Sequence, residues 1–186
     1  MDKILTIITP CSRPENLHVV KDSIFKQKWK FNFKWVIVHD SEYIEIELFP
    51  ELNIYQFNHY DSNSVVGHAQ RNFALNLIAK GLVYFLDDDT ILHPNFSKAI
   101  FEIDTNVDFI HFPQSYKNET IRISGAEVEV DKIDTGSFLF DIELAKDVSF
   151  DVFKYNADGY FAKDIYAKAN NTVYINYPLS YYNYLR

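Results

Sequence analysis

The sequence predicts an α/β fold built on a mostly parallel sheet, and three observations carry that reading. Strand-like and helix-like stretches alternate through the first half of the chain. A short apolar run, Leu82-Val-Tyr-Phe-Leu86, reads as a buried strand because it is continuous, aromatic and β-branched. That run ends on three consecutive aspartates, Asp87, Asp88 and Asp89, and open α/β sheets bind ligands at the carboxyl ends of their strands.

The elements follow in order. Residues 3–9 form a first strand, ended by Pro10. Pro14 and Glu15 open a helix to about Lys26, with proline and an acid in the first turn. Residues 34–39 give a second strand that closes on Asp40, and residues 52–57 a third. Asn63 or Ser64 caps a helix running to Lys80, with Ala69, Phe73 and Leu77 on one face and Gly81 as its stop. After the acidic strand come a helix over 94–103 and a strand over 107–112. Residues 121–133 alternate like a partly exposed hairpin, and residues 135–140 form an apolar strand. A helix over 155–169 buries Phe161, Ile165 and Ala169, and 172–176 is a last strand. No repeat, linker or low-complexity tract interrupts the chain, so residues 1–186 are expected to form one domain.

Composition narrows the chemistry. A chain of 186 residues with 47% hydrophobic and 17% aromatic content supports a real core and excludes disorder. A net charge of −8 argues against a nucleic-acid partner. The single cysteine, Cys11, excludes an intrachain disulfide and fits cytoplasmic or otherwise reducing surroundings. No stretch is expected to span a bilayer or act as a signal peptide, which leaves peripheral membrane contact at most.

Three carboxylates at the mouth of a sheet repel one another and call for a cation. Hard oxygen ligands favour a divalent metal such as Mn²⁺ or Mg²⁺. Arg71 suits phosphate oxygens. Asp158, in the first turn of its helix, is favoured in its ionised form by the helix dipole. Taken singly, Asp40 and Asp134 read equally well as turn acids, and His68 reads as a surface or capping histidine.

Five motifs in order carry a resemblance: Ile8-Thr-Pro-Cys-Ser-Arg-Pro14, Trp35-Val-Ile-Val-His-Asp40, Gln70-Arg-Asn-Phe-Ala-Leu75, Val83-Tyr-Phe-Leu-Asp-Asp-Asp-Thr90, and Asp134-Thr-Gly-Ser-Phe-Leu-Phe140 continued by Ala157-Asp-Gly-Tyr-Phe161. Together they resemble the GT-A glycosyltransferases, in particular the broad inverting family-2-like transferases and the beta-1,3-glucuronosyltransferases. The resemblance implies a Rossmann-like GT-A sheet, with residues 1–90 as the nucleotide-sugar half and 91–186 as the acceptor half. It implies a UDP-sugar donor, a saccharide or other hydroxyl acceptor, and a Mn²⁺ or Mg²⁺ cofactor. Thr9, Pro10, Ser12, Arg13, Asp40, Arg71, Asp87, Asp88 and Asp134 then become donor-binding residues. Asp89, assisted by Asp88, would hold the metal, and Asp158 would be the general base, with Asp164 in reserve. The glucuronosyltransferases carry Glu at the base position, and many relatives place a histidine near this chain's Tyr181–Arg186, where Tyr or Arg186 stands instead. Two other classes compete: a haloacid-dehalogenase-like phosphatase using Asp87 as nucleophile, and a nucleotide-sugar-binding module without turnover. A nucleotidyltransferase fits less well, because the loop after the first strand lacks glycine.

Overall fold

The computed structural model describes residues 4–41 and 53–186; Lys3 and Leu52, which begin the first and third predicted strands, lie outside them. In chain order these residues form β1 (Ile4–Cys11), α1 (Leu17–Phe25), β2 (Asn32–His39), β3 (Ile54–Asn58), α2 (His68–Leu75), β4 (Leu82–Phe85), β5 (Ile91–Leu92), α3 (Phe96–Glu102), β6 (Phe109–His111), β7 (Gln114–Ser115), β8 (Ile121–Ile123), β9 (Phe138–Asp141), α4 (Ala157–Lys168), β10 (Thr172–Tyr174) and β11 (Ser180–Tyr181). A seven-stranded sheet runs in the order β10-β6-β9-β4-β1-β2-β3. Its pairings are parallel except at β9, which is antiparallel to both β4 and β6. A second sheet, ordered β5-β11-β7-β8, holds the C-terminal segment against the region after β4. No helix among the described residues is long and apolar enough to cross a membrane.

The run Leu82–Leu86 is apolar throughout because both of its faces are covered. Leu82, Tyr84 and Leu86 join one core with Leu5, Ile7, Trp35 and Phe96. Val83 and Phe85 join the other, with Ile8, Val36, Phe140 and Phe161. The period of two along the strand sorts these residues between the two layers.

Several boundaries differ from the sequence reading, each for a local reason. β1 does not stop at Pro10; Pro10 pairs with Val38 and the strand reaches Cys11. Side alternation points the missing N–H of Pro10 toward β4, beyond the last β1–β4 register pair, Ile8–Phe85, so no ladder bond is lost. α2 covers only His68–Leu75, after Gly67 in the left-handed region at φ 77°. The Ser64 hydroxyl does accept from the Ala69 N–H at 2.9 Å, but across a turn. Bonds of the 3₁₀ type, Leu77 N–H to Ala74 O and Ile78 N–H to Leu75 O, close the helix early, and Leu77 is exposed. Gly81 is the turn into β4: at φ +98° a Cβ there would sit 2.6 Å from Ile4 O.

Of residues 121–133 only Ile121–Ile123 pairs, with Gln114–Ser115. The alternation beyond it reflects Val128 and Ile133 anchoring an irregular segment in the second core. A 3₁₀ turn over Thr135–Ser137 precedes β9, and the predicted strand over 172–176 ends at Tyr174. β11 is a two-residue strand that carries no periodic signal.

Candidate active site

The carboxyl ends of β1, β2 and β4 open into a cavity of about 890 Å³. Its walls include Pro10, Ser12, Arg13, Asp40, Arg71, Asp87, Asp88, Asp89, Asp134 and Asp158. Ten sequence-predicted residues, spread over more than 140 positions, thus meet in one place. Thr9 does not: it is fully buried and its hydroxyl accepts from Trp35 Nε1–H at 2.9 Å. The alternation of β1 turns Thr9 into the core while Pro10 faces the cavity. Asp164, the reserve base, is exposed on α4 and does not line the cavity.

The three aspartates divide their work. Asp88 is buried, and its Oδ2 accepts the backbone N–H groups of Ser12 and Arg13, both at 2.8 Å. Ser12 Oγ adds a bond at 3.3 Å, while Arg13 gives Oδ1 its Nε at 2.9 Å and a second guanidinium nitrogen. A carboxylate offers about four lone-pair sites, so Asp88 is saturated. It anchors the β1–α1 loop through two of that loop's own N–H groups.

Asp89, also buried, holds Arg13 at 3.0 Å and Arg186 Nε at 2.6 Å on its Oδ2. Its Oδ1 meets the Thr90 hydroxyl at 3.3 Å. Among the described residues, no cluster of three or more His, Cys, Asp or Glu side chains could hold a metal ion.

Asp87 pairs with Arg71 at 2.5 Å. Burial raises the Asp87 pKa and Arg71 pulls it back. Arg71 is itself buried, with one nitrogen donating to Val66 O at 2.6 Å and reaching His68 Nδ1 at 3.4 Å. Its guanidinium carbon stands 5.8 Å and 5.7 Å from the ring centres of Phe85 and Phe150. His68 is therefore no surface residue: it is buried and stacks on Phe150 at 5.2 Å. Its Nε2 donates to Lys154 O at 3.0 Å, which leaves Nδ1 as the acceptor turned to Arg71. Burial and the Arg71 charge push its pKa down to about 4, so it stays neutral beside the guanidinium. Cys11 is inert by the same logic, its thiol pushed by burial up to about 12.

Asp158 sits in the first turn of α4 and accepts the Gly159 N–H at 2.9 Å. Gly159 lets the helix approach closely, since a Cβ there would lie 2.9 Å from Val130 Cα. Asp158 forms no ion pair among the described residues. Burial first, then the charge of Asp134, raises its pKa to about 6. Asp134 serves as a cap: it accepts from Gly136 N–H at 2.9 Å and binds Arg122 at 2.7 Å. Arg122 also donates to Gln114 Oε1 at 2.8 Å and lies over the Tyr182 ring at 3.6 Å. Arg122, Tyr155 and Tyr182 line the cavity; sequence reading singled out neither Arg122 nor Tyr155, and reached Tyr182 only as one of the C-terminal tyrosines standing where relatives place a histidine. A lone arginine between isoleucines and tyrosines in irregular segments carries no pattern.

These elements define a GT-A-like architecture: a mostly parallel sheet with an acidic strand end in its ligand crevice. Solved structures agree. The structure of Staphylococcus aureus TarS superposes with a TM-score of 0.72 at 19% identity, covering 95% of this chain and 36% of that one. TarS residues 1–349 in complex with UDP-GlcNAc gives 0.71 at 17% identity, over 96% and 58% of the two chains. The mannosyltransferase PcManGT from Pyrobaculum calidifontis, in complex with GDP-Man and Mn²⁺, gives 0.67 at 14% identity, over 92% and 54%. The chain thus spans between 36% and 58% of the length of these glycosyltransferases. No protein-family model and no curated protein matches the sequence.

Proposed function

We propose that this protein transfers a sugar from a nucleotide-sugar, UDP-linked, to a hydroxyl of a saccharide-type acceptor, with inversion at the anomeric carbon. The observation that carries the reading is the contrast inside the cavity. Asp87 and Asp89 are matched by arginines, whereas Asp158 forms no ion pair among the described residues and has a pKa raised to about 6. A carboxylate so tuned is ionised at neutral pH and still basic enough to take a proton. The structures of TarS in complex with UDP-GlcNAc and of PcManGT in complex with GDP-Man support a nucleotide-sugar ligand.

In this reading Asp158 takes the proton of the acceptor hydroxyl as its oxygen bonds to the anomeric carbon. The bond from that carbon to the diphosphate breaks, and its electron pair leaves with the nucleotide. Arg13, Arg71 and Arg186 bring guanidinium charge to the crevice where the diphosphate's negative charge grows. Asp40 and the Pro10–Arg13 loop flank the nucleoside, and Asp134 positions Arg122. A divalent cation fits the donor set through Asp89, whose Oδ1 meets a single weak hydroxyl contact among the described residues. Mn²⁺ and Mg²⁺ bind through one or two carboxylates and take remaining ligands from phosphates and water, so a three-residue cluster is not required. Such an ion would neutralise the diphosphate. Asp88, saturated by the loop, is left out of that ligand set. The phosphatase reading finds no support, because its nucleophile, Asp87, is held by Arg71 at 2.5 Å.

The test is a turnover screen of UDP-, GDP- and TDP-sugars with Mn²⁺ or with EDTA. Release of UDP from a UDP-sugar in Mn²⁺, suppressed by EDTA, is expected. Proton NMR of the first-formed product should show a β-linkage from an α-linked donor. Turnover of none of the donors, or an α product, contradicts the reading.

A further inference from the structure

Among the described residues the two most exposed large apolar side chains share one loop: Phe153 at 73% and Tyr155 at 79% exposure. That loop is fixed. Val65 N–H donates to Val152 O at 3.0 Å and His68 Nε2 to Lys154 O at 3.0 Å. Asn72 brackets Phe150 with two bonds, its amide donating at 2.9 Å and its oxygen accepting at 2.8 Å. The backbone on both sides of Phe153 is thus tied down, and Tyr155 follows directly with its ring exposed.

Tyr155 lines the cavity, three residues before Asp158 with Asn156 between them, while Phe153 does not. Tyr155 thus lines the same cavity as the carboxylate that is to take the acceptor's proton. Asn156, Asp131 and Arg122 add hydrogen-bonding groups to that cavity. An aromatic face beside hydroxyl-binding polar groups matches a pyranose, which offers an apolar C–H face and equatorial hydroxyls. Charge favours an uncharged occupant beside Asp158. Asp131, Asp134 and Asp158 line the cavity, Arg122 is already committed to Asp134, and the chain carries −8 overall.

We infer that Tyr155 is the platform of an acceptor subsite, and that its occupant is an uncharged pyranose stacked by its C–H face so that a ring hydroxyl reaches Asp158. The inference rests on the transferase reading above and adds the acceptor class to it.

Saturation-transfer NMR on the full chain with UDP present tests it, using methyl pyranosides of glucose, galactose, mannose and N-acetylglucosamine, with open-chain sorbitol as the control. Saturation at the ring C–H protons of at least one pyranoside, and none on sorbitol, is expected. Tyr155→Phe should keep that signal, and Tyr155→Ala should weaken pyranoside affinity about tenfold. Calorimetry of UDP should be unchanged in both variants, which shows that each is folded and separates the two readings. If UDP fails to bind the wild type, the donor reading itself falls. If UDP binds but no pyranoside is saturated, or Tyr155→Ala binds pyranoside as well as wild type, only the acceptor platform falls. Sedimentation with phosphatidylcholine vesicles that is lost in Tyr155→Ala and in Phe153→Ala would assign the ring to a lipid surface and overturn the proposal.

Discussion

The two walls of the cavity handle their carboxylates in opposite ways. On the wall formed by the ends of β1 and β4, Asp87, Asp88 and Asp89 are each matched by guanidinium groups, and Asp88 also takes backbone N–H bonds. On the α4 wall, Asp158 receives one backbone N–H and feels the negative charge of Asp134. The first arrangement holds its carboxylates in ion pairs and so fixes the shape of that wall. The second holds a proton acceptor near the pH at which it must work. In the proposed function the first wall binds and the second carries the chemistry.

The largest effect that would break this division is on turnover. Asp158→Asn keeps the shape of the side chain and removes its proton affinity. We expect transfer to fall by about 10²- to 10⁴-fold, with UDP affinity from calorimetry within about twofold of wild type, since a tenfold loss would already signal about 1.4 kcal/mol of binding. Turnover close to wild type would return Asp158 to the binding wall.

Next in size is a stability effect on the paired wall. Arg71→Met leaves Asp87 without its partner beside a largely apolar layer. Denaturant unfolding should show a loss of about 3 kcal/mol, and UDP affinity should fall as well. An unchanged midpoint would mean that the pair is not structural.

A smaller effect sharpens the contrast through pH. The folded pKa of Asp158 lies above its unfolded value, so the folded state binds the extra proton between about pH 4 and about pH 6. Stability contributed by that proton is present in acid and lost as pH rises through about 6. Asp158→Asn should therefore be more stable than wild type at pH 7, by on the order of 1 kcal/mol, and equal to it near pH 4. Thermal unfolding at the two pH values measures this, and a gap of the same size at both contradicts it. The smallest effect concerns Thr9. Thr9→Val removes the acceptor of the Trp35 N–H and should cost about 1–2 kcal/mol with UDP affinity unaltered. Weakened UDP binding would restore Thr9 to the donor site.

Much of this was legible in the sequence. The acidic strand end was readable because a continuous apolar run must be buried and its charged terminus cannot be. The helix start at Asp158 and the loop at Pro10–Arg13 followed from position relative to strands. Three things were not legible. Which aspartate does what depends on where Arg13, Arg71 and Arg186 reach, and long side chains leave no spacing signal. Thr9 was misplaced because its side was set by the parity of β1, which runs two residues past Thr9 and one past Pro10. Arg122 lies in the three-residue strand β8, too short for its period to mark a cavity-facing side chain, and Tyr155 and Tyr182 lie in irregular segments, where neither period applies. His68 reads as polar and exposed until α2 is shortened, and the shortening comes from the turn at Gly67.

The most direct test is the pH dependence of kcat/KM for sugar transfer by the wild-type chain. The account predicts an acidic limb with a midpoint near 6, following the free Asp158 carboxylate. It also predicts that this limb is absent from the residual activity of Asp158→Asn. A rate that stays level down to about pH 4, where an unperturbed aspartate would begin to titrate, would contradict the assignment of proton transfer to Asp158.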